Sequence, residues 1–319
     1  MNFAMTGVGG YIAPRHLEAI AAVGGRVISA LDPHDSVGIL DRYGMHTEFF
    51  TEYERFERSL EGAKTAGNAA DWMTVCSPNY LHDAHIRLGL RTGSNVICEK
   101  PLVISPWNLD ALKVAEKESG KRVFTILQLR HHHEVIKMKQ QVEEARREYR
   151  PLMEKGAITD ALFDVQVSYI TPRGPWYSYS WKGHEGKSGG VAMNIGVHLF
   201  DVLAWVFGKP TMTQVHLREP SRVSGITRFE SAVVKWFLST SDQDLPGGMK
   251  SFREFSIERW GKFELSDGFT ELHTEAYKAI LAGQGFGIDD ARPSIELVHQ
   301  IRGLDVSESC DGLKHPFAR

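Results

Sequence analysis

Phe3-Ala4-Met5 runs into Gly7-Val8-Gly9-Gly10-Tyr11-Ile12, and from Pro14 to Val23 the apolar residues take helical spacing. A strand that turns through glycines into a helix is how a dinucleotide-binding α/β unit begins. Gly7 permits the tight turn and Gly9 lets main chain approach a pyrophosphate. The helix start adds N–H donors and the positive end of its dipole. The third position of the fingerprint, normally Gly or Ala, is Ile12.

Outward from this loop, strand and helix signals alternate. Arg26 to Leu31 reads as a strand ending at Asp32-Pro33. Glu52 to Ala66 reads as a helix, Trp72 to Cys76 as a strand stopped by Ser77-Pro78-Asn79, and Tyr80 to Arg91 as a helix. Asn95 to Cys98 is a strand that ends on Glu99-Lys100-Pro101. Ser105 to Ser119 is a helix with a capping serine, and Arg122 to Gln128 a further strand. This alternation predicts a parallel, doubly wound sheet.

The pattern then changes. Glu134 to Lys155 is a charged helix and Ala161 to Thr171 a long strand. Gly196 to Phe207 is an amphipathic helix, followed by strand-like runs at Thr211–Leu217, Thr227–Ser239 and Ser251–Leu265. Successive strands without helices between them imply a mainly antiparallel open sheet. Helices at Phe269–Ala282 and Pro293–Ile301 complete the chain. The expected division is a Rossmann domain over 1–129 and a second α/β domain, for substrate and oligomerisation, over 130–319.

The 319 residues are 42% hydrophobic and 24% charged with a formal net charge of −3, a balance that argues against nucleic acid as the main partner. Cys76, Cys98 and Cys310 give no disulfide framework or metal-ligand spacing, and Cys76 and Cys98 read as buried, inert thiols. The N-terminal residues leave no room for a signal peptide and no run of about 18 apolar residues exists, so the expected location is cytoplasmic. His131-His132-His133 invites a metal, but consecutive side chains diverge and do not readily converge on one ion, so none is expected.

Asp32, at the end of its strand, suits the hydroxyls of an adenosine ribose and repels a 2′-phosphate, which favours NAD over NADP. The loop from Ser77 to His82 shares that sheet edge; Asn79 there can equally cap the next helix. Lys100, closing a buried strand before a proline, is poorly explained by packing and sits where ligands bind an open parallel sheet. Asn194, His198 and Asp201 follow i, i+4, i+7 spacing and share a face if the segment is one helix. Between Thr171 and Lys187, Trp176, Tyr177, Tyr179 and Trp181 interleave with Arg173, Lys182 and Lys187 against one acid, Glu185, which suits a planar base with phosphates or a carboxylate, or else a packed loop. Arg130 is a further candidate anion ligand.

Taken in order, the glycine loop, Asp32, Ser77-Pro78-Asn79, Glu99-Lys100-Pro101 and Gly189-Gly190…Asn194-x-Gly196-x-His198 resemble the Gfo/Idh/MocA oxidoreductases. The resemblance implies a nicotinamide-dependent dehydrogenase. The residues expected at NAD are Gly7, Gly9, Gly10, Tyr11, Ile12, Asp32, Ser77, Asn79, His82, Glu99, Lys100, Gln128 and Trp181; because a carboxylate close to the Lys100 amine would favour its charged form, the Glu99 side chain is expected to turn toward the cofactor instead. Lys100, Arg130, Arg173, Tyr177, Lys187, Asn194 and His198 go to substrate, with Lys100, His198 and Asn194 catalytic.

Within the family, Tyr169–Tyr177, Ser180-Trp181-Lys182-Gly183 and Lys187–Gly190 are similar to bacterial UDP-2-acetamido-2-deoxyglucuronate 3-dehydrogenases. These oxidise the sugar C3 hydroxyl during lipopolysaccharide O-antigen sugar synthesis. That likeness implies a homotetramer and tightly held NAD, recycled in some members by 2-oxoglutarate. Two departures stand out: Asn194 replaces the usual Asp, and Lys182 the usual Arg of a Trp-Arg pair. An amide cannot act as a base, so proton transfer falls to Lys100 or His198. The alternatives are the same chemistry on another sugar or cyclitol, or a non-catalytic NAD(H) sensor; the sensor would need neither Lys100 nor His198.

Overall fold

The computed structural model describes residues 1–43, 46–155, 161–265, 271–307 and 314–318. The chain divides into two compact units, Met1–Gln128 with Thr270–Arg292, and Leu129–Phe269 with Pro293–Arg319. Residues 270–292 group with the first unit, whereas the expected division assigns everything from 130 to 319 to the second domain.

In the first unit, β1 (Asn2–Thr6), α1 (Ala13–Ala22), β2 (Arg26–Leu31), α2 (Leu40–Tyr43), β3 (Glu48–Phe50), α3 (Tyr53–Thr65), β4 (Trp72–Val75), α4 (His82–Arg91), β5 (Asn95–Cys98), α5 (Trp107–Ser119) and β6 (Val123–Thr125) follow in turn. The six strands form one parallel sheet in the order β3-β2-β1-β4-β5-β6. The order reverses beside β1, and at such a switch point an open sheet leaves a crevice at its carboxyl edge. Fully buried Phe3, Met5, Val96 and Ile97 come from central strands, as two covered faces require. The capping role expected of Ser105 is not found: α5 starts two residues later, its N-cap is Pro106, and no side chain caps it.

The second unit opens on α6 (His133–Glu154) and β7 (Phe163–Ile170). Four shorter or longer helices follow, α7 (Trp176–Tyr179), α8 (Glu185–Ser188), α9 (Gly190–Asn194) and α10 (Gly196–Phe207). Strands β8 (Pro210–Arg218), β9 (Arg222–Phe229), β10 (Ala232–Ser239), β11 (Phe252–Ile257) and β12 (Gly261–Glu264) complete a six-stranded sheet in the order β12-β11-β7-β10-β9-β8. Among these described strands the β7–β10 pairing is parallel and the other four are antiparallel. The single run expected over Thr227–Ser239 is two strands, because Glu230-Ser231 turns the chain between β9 and β10. The run over Ser251–Leu265 is likewise the β11–β12 hairpin. Trp236 anchors this core; its ring meets Phe200 edge-on at 5.2 Å and its N–H donates to Thr227 Oγ1.

Helix α11 (Leu272–Leu281) packs against α1 within the first unit, where Tyr277, Ala276 and Ile280 join the core beside Phe3 and Ile20. Helix α12 (Ile288–Gly303) begins five residues before the expected Pro293. The N-terminal end of the helix expected from Phe269 and the thiol of Cys310 lie outside the described residues. Cys76 and Cys98 are buried, and burial pushes both thiols well above their ordinary range. Among the described residues, no single helix is long and apolar enough to cross a membrane. The bent pair α8–α9 with α10 passes such a test together, and α10 is a core helix of its unit.

Candidate active site

Gly7 sits at φ +78°, and a Cβ there would lie 2.5 Å from main-chain atoms of Cys76 and Ser77. A side chain is therefore excluded both by conformation and by space. That contact brings the glycine loop against the end of β4. The Gly9 amide donates to Asp32 Oδ2 at 2.9 Å and the His34 amide to Asp32 Oδ1 at 3.0 Å, so the carboxylate at the end of β2 is fixed beside the loop. Gly10 and Ile12 are half-buried, Gly9 and Tyr11 exposed. Ile12 takes the N-cap position of α1 without a side-chain cap, and Pro14 stands in its first turn.

The Ser77–His82 loop and the Glu99-Lys100-Pro101 segment are tied together by His82. Its Nδ1 lies 2.7 Å from the Pro101 carbonyl and its Nε2 2.8 Å from that of Ser77. Burial pushes this imidazole down; the two carbonyls pull the other way without cancelling the effect. Both ring nitrogens lie within hydrogen-bond distance of main-chain carbonyls, so His82 links the two loops expected to line the cofactor site. Ser77 Oγ meets His85 Nδ1 at 2.8 Å, and burial lowers His85 to about 4. Asn79 is buried at the start of the same turn. Lys100 is half-buried, and its bond to Pro101 is cis.

Glu99 also departs from expectation. Its side chain turns into the core, where Oε1 accepts from His16 Nε2 and His273 Nε2, each at 3.0 Å, and Oε2 accepts from the Lys100 amide at 3.1 Å. Sequence reading missed both histidines, though each stands on the buried side of an amphipathic helix, α1 or α11, where a polar residue needs a partner.

The first unit fits a dinucleotide by its own geometry. The glycine turn admits no Cβ, a carboxylate ends β2 at that turn, and Gln128 Oε1 is buried with no partner in the protein. A buried carbonyl oxygen in that state calls for a donor. Residues Gly7, Gly9, Gly10, Asp32 and Gln128 would hold the group.

In the second unit, Gly189 (φ +83°) and Gly190 (φ +75°) end α8 and begin α9. Asn194 closes α9, and at Ile195 the chain bends by 48° into α10. The expected single stripe of Asn194, His198 and Asp201 is therefore split between two helices. Asn194 is buried and its Nδ2 donates to Tyr177 Oη at 2.7 Å. Burial pushes the Tyr177 phenol up and the Asn194 contact opposes it. His198 is half-buried on α10.

Arg130 and Asp201 form a bidentate pair at 3.0 and 2.7 Å, each side chain 4% exposed. This pair braces α10 to the turn that begins the unit, so the guanidinium expected to meet substrate already serves a structural contact. Arg173 and Lys187 are exposed, and Arg173 donates to Thr171 Oγ1 and the Pro172 carbonyl. Lys182 lies 5.0 Å from the Trp176 ring centre and 5.3 Å from that of Trp181. Burial, then the nearby Arg173 charge, push its amine down. Trp181 thus contacts a cation of its own loop. The described residues of His131–His133 include a stacked pair, His132 on His133 at 4.7 Å.

Comparison with known proteins agrees with this geometry. Residues 1–127 match the NAD-binding Rossmann-fold domain of the Gfo/Idh/MocA oxidoreductase family, and residues 156–235 match its C-terminal α/β domain. The WlbA (WbpB) dehydrogenase of Thermus thermophilus, solved with NAD and α-ketoglutarate, is 42% identical with a TM-score of 0.91, covering 99% of both chains. The same enzyme solved with NAD and UDP-GlcNAcA is 41% identical at a TM-score of 0.91 and equal coverage. The D-glucoside 3-dehydrogenase of Escherichia coli is 26% identical over 177 residues, 51% of this chain and 47% of that protein. The chain spans about half the length, or less, of the curated relatives it matches, 37 to 47% of theirs. Two matched domains in sequence, on a fold shared almost end to end, place this chain in the Gfo/Idh/MocA oxidoreductase family.

Proposed function

We propose that the chain oxidises the C3 hydroxyl of UDP-2-acetamido-2-deoxy-D-glucuronate (UDP-GlcNAcA) to the 3-keto sugar with NAD. The observation that carries this is the end-to-end likeness, at 41% identity, to a dehydrogenase solved with NAD and that nucleotide sugar. NAD, when bound, supplies the hydride acceptor. Everything else falls to the chain. Gly7, Gly9 and Gly10 would admit the pyrophosphate, Asp32 would take the ribose hydroxyls, and Gln128 Oε1 would accept a hydrogen bond from the cofactor.

Loss of hydride from a secondary alcohol requires its hydroxyl to lose a proton. Lys100 receives or relays that proton, with His198 the second hydrogen-bonding partner and alternative base. A free lysine has a pKa of roughly 10.4. A base working near neutrality needs surroundings that disfavour the ammonium. Asn194 donates and does not titrate, so it orients the sugar together with Tyr177. Arg173 and Lys187 supply positive charge for the uronate carboxylate or the diphosphate. A neighbour solved with NAD and α-ketoglutarate supports 2-oxoglutarate as the compound that recycles the cofactor; a cytoplasmic homotetramer whose product enters O-antigen sugar synthesis is part of the same proposal.

The test is a substrate panel: UDP-GlcNAcA, a D-glucoside and myo-inositol, each incubated with the protein, NAD and 2-oxoglutarate, with products weighed by mass spectrometry. UDP-GlcNAcA should lose two hydrogens while 2-hydroxyglutarate accumulates. Oxidation of either other alcohol in preference would replace the substrate assignment.

A further inference from the structure

The first unit holds a chain of buried polar groups to which the proposed mechanism gives no role. Thr74 Oγ1 lies 2.9 Å from Tyr277 Oη, which lies 2.9 Å from His16 Nδ1. His16 Nε2 and His273 Nε2 both reach Glu99 Oε1, and Glu99 Oε2 takes the Lys100 amide. Every side chain in the chain is buried. Burial alone would push the Glu99 carboxyl up, but the two imidazole N–H groups hold it well below the usual carboxylate range. Burial also lowers His16, leaving it neutral. One proton assignment then satisfies the run: Thr74 donates to Tyr277, Tyr277 to His16 Nδ1, and both Nε2–H groups to an ionised Glu99.

The three ligand-type atoms lie within 4.8 Å of one another and are the one such group among the described residues. A metal ion is not needed to explain them, because each already has a hydrogen-bond partner of the correct polarity.

Glu99 is bonded to the residue that the proposed reaction uses as its base. A carboxylate swung toward the Lys100 amine would stabilise the ammonium and oppose proton uptake. We propose that His16 and His273 are positioning residues: by drawing the Glu99 carboxylate into the core, they pin the Lys100 main chain and keep the carboxylate charge from pairing with its amine. This rests on the reading of Lys100 as the base. The groups facing Glu99 are His16 from α1, His273 and Tyr277 from α11, Cys76 after β4, Cys98 on β5, and His82 at the start of α4. Of these, His16 and His273 alone bond to its carboxylate through side chains.

The test reads Lys100 directly and needs no substrate. The protein carries 13C at lysine Cε, and the Lys100 resonance, identified by its loss in Lys100→Arg, is titrated in the NAD-loaded enzyme. In His16→Leu or His273→Leu the midpoint should rise by about 1 pH unit, and in His16→Gln or His273→Gln, which keep an N–H donor, it should return toward the wild-type value. Either leucine variant suffices should the other fail to fold. In a Glu99→Gln background, His16→Leu should leave the midpoint unmoved, since its action passes through the carboxylate. An unchanged midpoint in folded leucine variants would overturn the proposal. So would one equivalent of metal per chain that disappears in them. Because turnover is not measured, failure here is distinct from failure of the dehydrogenase reading.

Discussion

Asp32 accepts the Gly9 amide at 2.9 Å, so the acid proposed to take the ribose hydroxyls also shapes the glycine loop beside it. A hydrogen bond to a charged group contributes about 1.5–3 kcal/mol. Asp32→Ala should therefore weaken NAD binding about 10- to 100-fold and narrow the preference over NADP, as measured by equilibrium dialysis. Asp32→Asn, which retains an acceptor oxygen, should lose less.

The buried Arg130–Asp201 pair predicts an asymmetric response to substitution. Arg130→Met takes the bidentate guanidinium from a carboxylate that is 4% exposed and should cost about 3–5 kcal/mol of stability in denaturant unfolding. Removing both charges, Arg130→Met with Asp201→Leu, should recover most of that loss. A single variant as stable as the parent would mean that the pair does not brace α10.

Tyr177 Oη accepts the Asn194 amide proton at 2.7 Å. Tyr177→Phe removes that acceptor and with it one restraint on the orientation of the amide. The account predicts a KM for UDP-GlcNAcA raised about 10-fold, from the loss of roughly 1–2 kcal/mol of positioning, with a smaller change in kcat. Steady-state kinetics at saturating NAD separates the two.

Acid should destabilise the fold in a defined window. Burial lowers His85 and His315 to about 4, so the folded state keeps them neutral while the unfolded chain protonates them below about 6.5. The unfolded state then binds more protons between those values, so stability falls as pH drops from 6.5 toward 4 and this contribution levels off below 4. Each histidine contributes about 3 kcal/mol to the fall. Thermal unfolding across that range should show a slope that is shallower in His85→Asn, whose amide can meet the Ser77 hydroxyl without titrating.

Much of the first unit was readable because its signals are local. The glycine turn, Asp32 at a strand end and the alternation of apolar strands with amphipathic helices each lie within a few residues. What escaped is non-local or weak. Strand β3 has three residues, too few for a period. Glu230-Ser231 turns the chain with no glycine, proline or asparagine to mark it. Glu99 meets its histidines 83 and 174 residues away in sequence, and Arg130 meets Asp201 across 71. An acidic or basic residue beside a motif invites a ligand assignment, and only the fold reveals that its charge is already matched inside the protein. The bend at Ile195 separates Asn194 from His198 in a way that spacing alone does not register.

The central claim is that a hydride passes from UDP-GlcNAcA to NAD on this chain. The most direct measurement is the near-ultraviolet absorbance of reduced nicotinamide after mixing the NAD-loaded protein with UDP-GlcNAcA. The account predicts a rise in the wild type that reverses on adding 2-oxoglutarate, and no rise in Lys100→Ala that still carries its NAD. A flat trace from fully NAD-loaded wild-type protein, with no keto sugar formed whether or not 2-oxoglutarate is present, would contradict it.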